Sequence, residues 1–282
     1  MTTRRDFFSK TGKGLMVMGA SSLFSNELLG RTNVVTAKED GFKISFAGFT
    51  FRDFDLDTTL EMMQKLDAHY LCIKDFHLPL TSTDEEIKTF HAKLAAKNVT
   101  GYGVGPIYMK TETEADQAFE YARRVGVKLI VGVPNYELLP YIDKKVKAYD
   151  YHYAIHIHGP DMALYPNAAD VINHVKDLDY RIGLCLDIAH DTRYGCDPVA
   201  DMKKYYKRVY DIHLNDATAT GKEGRLCELG RGIVNIPAFV RVLRQLKYNG
   251  ACSIELNANK QDCFTSAAES IGYIKGVIDG LK

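Results

Sequence analysis

Four stretches of this sequence end an apolar run in side chains that can bind a cation or carry a proton. They are "AIHIHG" with His156 and His158, "GLCLDIAH" with Asp187 and His190, "YDIHLND" with His213 and Asn215, and "CSIELN" with Glu255. Within each stretch apolar and polar residues alternate, so the polar ones share a face of an extended chain. Ile155, Leu184, Leu186, Ile212, Leu214 and Ile254 occupy one side; His156, Asp187, His213 and Glu255 occupy the other. Two imidazoles and two carboxylates brought to one place suit a single divalent cation. Nitrogen and oxygen donors together favour Mn, Co, Zn or Fe over Mg, which prefers oxygen alone. Burying the four without a cation or other partners would be costly.

Other groups stand near these ends. "CIKDFHLP" supplies Lys74 and His77, and "HLND" adds Asp216 after Asn215. The segment "ATATGKEGRLCELGRG" carries Lys222, Arg225, Glu228 and Arg231 among glycines; Lys222 and Glu228 read there as solvated loop charges. Glu255, His158, Lys74 and His77 are the candidates for proton transfer. His190, Asn215, Arg225 and Arg231 are the candidates for holding a substrate.

The elements that must position these groups follow from the hydrophobic pattern. Strands are expected at 42–47, 70–74, 100–104, 127–132, 152–157, 182–187, 209–214 and 251–256. Amphipathic helical patterns lie between them, near 58–68, 84–97, 112–125, 136–149, 168–178, 198–207, 236–247 and 264–280. "NIPAFVRVLRQLKYNG" has Pro237 in its first turn and Gly250 beyond its end, the punctuation of a helix. Strict alternation implies parallel strands joined by crossover helices. Eight such units predict a single-domain α/β protein, a closed (β/α)8 TIM barrel, with a doubly wound open sheet as the alternative. The absence of GxGxxG after the first strand weighs against dinucleotide binding. In a barrel the polar strand ends point to the C-terminal mouth, where barrel active sites lie.

Composition narrows the function further. The 282-residue chain has 36 Lys plus Arg and 36 Asp plus Glu, a net charge of zero, which speaks against a nucleic-acid partner. No apolar run is long enough for an ordinary membrane span. Residues 1–37 differ from the rest: Arg4-Arg5 precede Phe7-Phe8 and Lys10, "GLMVMGASSLF" follows, and "VTA" ends at Ala37. This is the layout of a cleaved export signal of twin-arginine type, and it predicts a periplasmic protein with its barrel in 38–282. An amphipathic helix packed on the domain is the other reading of that segment. Of the six cysteines, Cys72, Cys185 and Cys252 fall inside expected strands as small core residues. Cys196, Cys227 and Cys263 fall in loops or at element ends, and no disulfide is assigned.

From residue 42 to 282 the chain resembles the xylose isomerase-like barrel superfamily, in its sugar phosphate isomerase/epimerase branch. "GLCLDIAH", "YDIHLND" and "LGRGIVNIPAFVRVLRQLKYNGACSIEL" carry the resemblance. It implies one divalent metal on His156, Asp187, His213 and Glu255, a substrate contact at His190, and a small carbohydrate as substrate. One position departs from the family pattern: its epimerases usually carry Glu, often in "ENH", where this chain has His156 in "HIH". A proton exchange between two metal-bound glutamates therefore lacks one partner. The resemblance extends to lyases that cleave 3-keto-glycosides, which need one base and one acid. Metal-assisted proton abstraction beside a sugar carbonyl, ending in 1,2-elimination of a 3-keto-glycoside, is the expected activity. An isomerase or epimerase of a non-phosphorylated keto sugar and a non-catalytic sugar-binding barrel are the alternatives; DNA-repair endonucleases of the superfamily need more ligands than this set offers. Whether the chain forms a homo-oligomer stays open.

Overall fold

A computed structural model describes residues 41–282. The export signal expected at 1–37 lies outside the described residues. Eight parallel strands close into a barrel: Lys43–Ala47, Tyr70–Ile73, Thr100–Met109, Leu129–Pro134, His152–His156, Ile182–Asp187, Val209–Leu214 and Ala251–Ile254. Each pairs with its sequence neighbours, and the first strand closes the ring by pairing with the eighth, Ser45 opposite Ser253. The open-sheet alternative is thereby set aside, and the chain is a TIM barrel.

The helices form where the pattern places them, and local chemistry sets their ends. Thr83 and Glu86 make a reciprocal capping box at the start of Asp84–Ala96, and Thr111 and Glu114 do the same for Glu112–Val125. Gly126 ends the latter in the left-handed conformation, φ 77°. Asn235 caps Ile236–Gln245 by accepting from the Ala238 amide at 3.1 Å, with Pro237 in the first turn.

Strand parity decides what each face buries. Ile155, Leu184, Leu186, Ile212 and Ile254 face the helices and join one continuous core with Phe119, Val171, Met202 and Phe239. Cys72, Val131, Ala154 and Cys185 form a separate small cluster inside the barrel. The six cysteines are free.

The structure differs from the pattern in three places. The third strand runs on to Met109, well past the expected end at 104, and carries Pro106 and Tyr108 to the mouth. A helix at Ile188–Tyr194 follows the sixth strand with no loop between them. The segment after the seventh strand folds back as a two-stranded pair, Asp216–Ala217 with Leu226–Cys227. The Asp216 carboxylate accepts from the Gly230, Gly232 and Val234 amides, each at 3.0 Å, and pins that loop. Among the described residues no helix is long and apolar enough to cross a membrane.

Phe239 is fully buried between its helix and the barrel. Replacing it with alanine removes packing at a site with little room to collapse and should cost about 3–5 kcal/mol, read as a lower urea midpoint at unchanged slope.

Candidate metal centre and cleft

Parallel strands in register deliver the four donors to one level. His156 is the last residue of the fifth strand and pairs with Cys185; Asp187 on the sixth pairs with His213 on the seventh. Glu255 directly follows the eighth strand, and its amide donates to the Leu214 carbonyl at 3.1 Å. A ligand atom from each of the four lies within 4.8 Å of every other. His156 Nε2 is 2.9 Å from His213 Nδ1, which is 3.1 Å from Glu255 Oε2. His156 Nε2 is also 3.7 Å from Asp187 Oδ2 and 3.6 Å from Glu255 Oε2. Two imidazole nitrogens thus aim at one point beside two carboxylate oxygens, with Asp187 and His213 fully buried and Glu255 open to the cleft. That donor set fits a divalent cation of the transition series.

The surroundings fix each donor. Asp187 caps the helix that begins at Ile188: its Oδ1 accepts from the His190 amide at 2.8 Å, while Oδ2 accepts from Asn215 Nδ2 at 3.2 Å. The far nitrogen of His213, Nε2, faces Asp211 Oδ2 at 3.6 Å. Asp211 is fully buried one layer below and accepts from the Tyr102 hydroxyl at 3.1 Å. The Tyr102 hydroxyl also bonds Ser253, whose Oγ is 2.8 Å from Ser45 Oγ. At that distance Asp211 acts on His213 through its charge rather than through a hydrogen bond, and a carboxylate behind a ligating imidazole raises its basicity.

The charges are strongly interdependent. Burial works against charge on every member, yet the balance runs the other way. For Glu255 the desolvation cost is outweighed by His213 and His156, and its carboxyl is held well below the ordinary range. For His213, desolvation is outweighed by Cys185, Glu255 and Asp211; for His156, by Asp187 and Glu255; both imidazoles are raised. Without a cation, protons on the two imidazoles balance the carboxylates; a bound cation would replace them.

Above it opens a cleft of about 720 Å³. His156, His158, His190 and Glu255 form its floor. Phe49, Lys74, Phe76, Pro106 and Tyr108 come from the first three strands and their loops; Arg193, Lys222 and Arg225 come from beyond the sixth and seventh. An aromatic arc and a cationic arc therefore rise from different sides of the ring. His158 Nε2 is 2.7 Å from the Tyr108 hydroxyl. Burial, then the neighbouring His156 and His190, push the His158 imidazole down to about 3, while burial and then Glu255 push the Tyr108 phenol up. Both members of this pair are uncharged. Lys74 Nζ donates to the Pro106 carbonyl at 2.6 Å and pairs with Asp75 at 3.0 Å.

Of the expected site residues, Lys74, His158, His190 and Arg225 line the cleft with the cluster. Three stand elsewhere. His77 is buried under the neighbouring loop, its Nε2 3.2 Å from Thr59 Oγ1 and 3.3 Å from the Phe51 carbonyl, and does not reach the mouth. Arg231 forms a bidentate pair with Glu269 on the last helix. Asn215 is fully buried behind the cluster, where it donates to Asp187, and does not line the cleft. Lys222 lines the cleft, whereas Glu228 bonds Ser266 at 2.7 Å; neither is only a solvated loop charge. Phe49, Phe76, Tyr108, Arg193 and Asp211 were not legible as site residues. Asp211 alone carried a signal, since it shares the parity of His213 and Asn215.

The family described as xylose isomerase-like TIM barrel matches residues 58–276, and the chain belongs to it. Among solved structures it is similar to a protein of uncharacterised function from Parabacteroides distasonis, at 25% identity and TM-score 0.66, covering 86% of this chain and 100% of that one. It is also similar to the IOLI protein with a binding zinc atom, at 18% identity and TM-score 0.62, covering 85% and 97%. A D-tagatose 3-epimerase-like protein matches at 17% identity and TM-score 0.65, covering 86% and 100%. No curated protein matches the chain.

Two outcomes follow for the metal centre. Asp211→Asn should weaken metal binding about 10–100-fold in calorimetric titration, with the fold retained. Because both imidazoles are raised and each must lose its proton to ligate, affinity should climb with pH through a range above the ordinary imidazole value; titrations at several pH values measure this.

Proposed function

We propose that this barrel is a divalent-metal-dependent sugar-modifying enzyme that removes a proton beside a sugar carbonyl, and that its reaction is 1,2-elimination of a 3-keto-glycoside. The convergence of His156, Asp187, His213 and Glu255 on the floor of a cleft that also holds the uncharged Tyr108–His158 pair is the observation that carries this reading. These four residues would hold the cation, which supplies Lewis acidity toward the sugar carbonyl. Mn, Co, Zn or Fe suits the donors better than Mg.

The division of labour follows from charge. Glu255 is ionised and at the floor, so it is the base that takes the C2 proton beside the C3 ketone. Elimination then breaks the bond from C1 to the leaving oxygen. That oxygen needs a proton, and the Tyr108–His158 pair can deliver one without creating a buried charge first. Lys74, held at the rim by Pro106 and Asp75, contributes positive charge beside the sugar. His190 and Arg225 are substrate contacts on the other arc, with Arg193 and Lys222 beside them. The aromatic faces of Phe49 and Phe76 offer an apolar surface for the sugar ring or its substituent. His156 stands where family epimerases usually carry Glu, which favours an acid–base pair of unlike groups over a symmetric glutamate exchange. The twin-arginine layout of residues 1–37 supports a periplasmic enzyme, where glycosides are a more accessible substrate than sugar phosphates.

A proton NMR time course in D2O, with metal-loaded protein and a 3-keto-glucoside, tests the reaction. Release of the aglycone with an unsaturated keto sugar is expected. Deuterium entering an intact sugar, with a new epimer or isomer, would replace this reading with isomerisation or epimerisation; unchanged sugar despite measurable binding would reduce the protein to a binding barrel. His158→Ala should lower kcat by about 10²–10⁴ while metal affinity persists. His213→Ala should abolish metal binding and turnover together.

A further inference from the structure

A second group of donors lies one turn further along the helix that Asp187 caps. Asp191 is on Ile188–Tyr194, Cys196 follows Gly195 in the turn, and Asp201 is on Pro198–Tyr205. One ligand atom from each lies within 4.8 Å of the others. The turn itself creates the juxtaposition: Gly195 takes the left-handed conformation at φ 94°, and the Cys196 amide donates to the Asp191 carbonyl at 3.0 Å.

Asp191 is the telling residue. It is 0% exposed, and neither carboxylate oxygen accepts a well-aligned hydrogen bond from a donor among the described residues; within the trio, Asp201 lies close enough to share a proton with it. The Ala168 amide polarises it without forming a well-aligned bond. Among the described residues no ion pair joins Asp191 or Asp201 to a cationic side chain; Arg193 on the same helix is turned to Asp161, 2.9 Å away. A buried carboxylate that no amide or cationic side chain satisfies is costly. It here points at a second carboxylate and a thiol, both half-buried, which leaves an approach from the surface.

We propose that Asp191, Cys196 and Asp201 form a second, structural cation site for a thiolate-accepting divalent ion such as Zn or Co. Two carboxylate oxygens and one sulfur provide three of four tetrahedral positions, with water available for the last. Hard ions that take oxygen alone do not match the sulfur. Burial and then the charge of Asp201 push Asp191 up to about 8, and burial and then Asp191 push the Cys196 thiol up to about 12; a cation at their centre reverses both effects. The bound ion would clamp the helix carrying His190 and Arg193 to the helix that follows, and so brace one wall of the cleft without touching substrate. Without an ion, the remaining solution is one proton shared between the two carboxyl groups.

Cobalt distinguishes the two. Metal-free full-length protein is titrated with Co2+ while thiolate-to-cobalt charge transfer is followed in the near ultraviolet. The donors of the cleft floor include no thiolate, so that band reports only a sulfur-bound ion. A second equivalent with a thiolate band is expected, both lost in Cys196→Ser and in Asp191→Asn, while the first equivalent and the fold by circular dichroism persist. Cys185→Ser serves as the control, because Cys185 lies near His156 and His213; it should leave the band in place. A single equivalent with no thiolate band, or a band that survives Cys196→Ser, overturns the site and leaves the shared proton.

Discussion

The contact between His213 and its two carboxylates organises this molecule. One nitrogen faces Asp211 inside the barrel and the other faces Glu255 and His156 at the mouth. The ring thus couples a buried anion to the donor cluster at the mouth. Such an arrangement survives only where water is excluded and every strand is fixed in register, since a shift of one residue would turn His213 toward the helices. The closed ring supplies that register: each strand is held by two neighbours, and no edge remains free to slip.

Polarity inside the barrel follows from the same contact. TIM barrels ordinarily fill their interior with bulky apolar side chains. Here the layer below the centre contains Asp211, Tyr102, Ser253 and Ser45 as one hydrogen-bonded chain, among the small residues Cys72, Ala154 and Cys185. Desolvation and the Asp211 charge push the Tyr102 hydroxyl well above the ordinary phenol value, which keeps it a donor. A fully satisfied buried network of this kind specifies one arrangement of its members. The apolar stabilisation is displaced outward, to the interface between strands and helices, where Ile155, Leu184, Ile212 and Phe239 pack.

The cleft combines parts with different structural origins. Its floor belongs to the strand ends. Its aromatic arc depends on an extended third strand and two short loops, its cationic arc on a helix that starts without a loop and on a segment pinned by Asp216. Chemistry set by the floor is therefore separable from recognition set by the walls, as in other barrels where loop variation changes substrate over a constant scaffold. Xylose isomerase-like membership bears on the floor; what the cleft admits rests with the walls.

Much of this was legible in the sequence alone. Alternation in four short stretches was enough to put His156, Asp187, His213 and Glu255 on a common face, and strict strand–helix alternation was enough to predict the barrel, because period and parity are local properties of the chain. His77, Arg231 and Asn215 were placed at the site by nearness in sequence; the tertiary structure sets His77 and Arg231 outside the cleft and keeps Asn215 behind the cluster. His77 found Thr59, Arg231 found Glu269, and Asn215 turned to Asp187. The walls of the cleft were hidden for the same reason. Phe49, Tyr108 and Arg193 carry no periodic signal, and only closure of the ring brings residues from the first, third and sixth strand–helix units into one cavity. Sequence determined which residues point inward at the end of each strand; which of the remaining polar groups meet them was decided by long-range packing, where partners distant along the chain compete for every buried donor and acceptor.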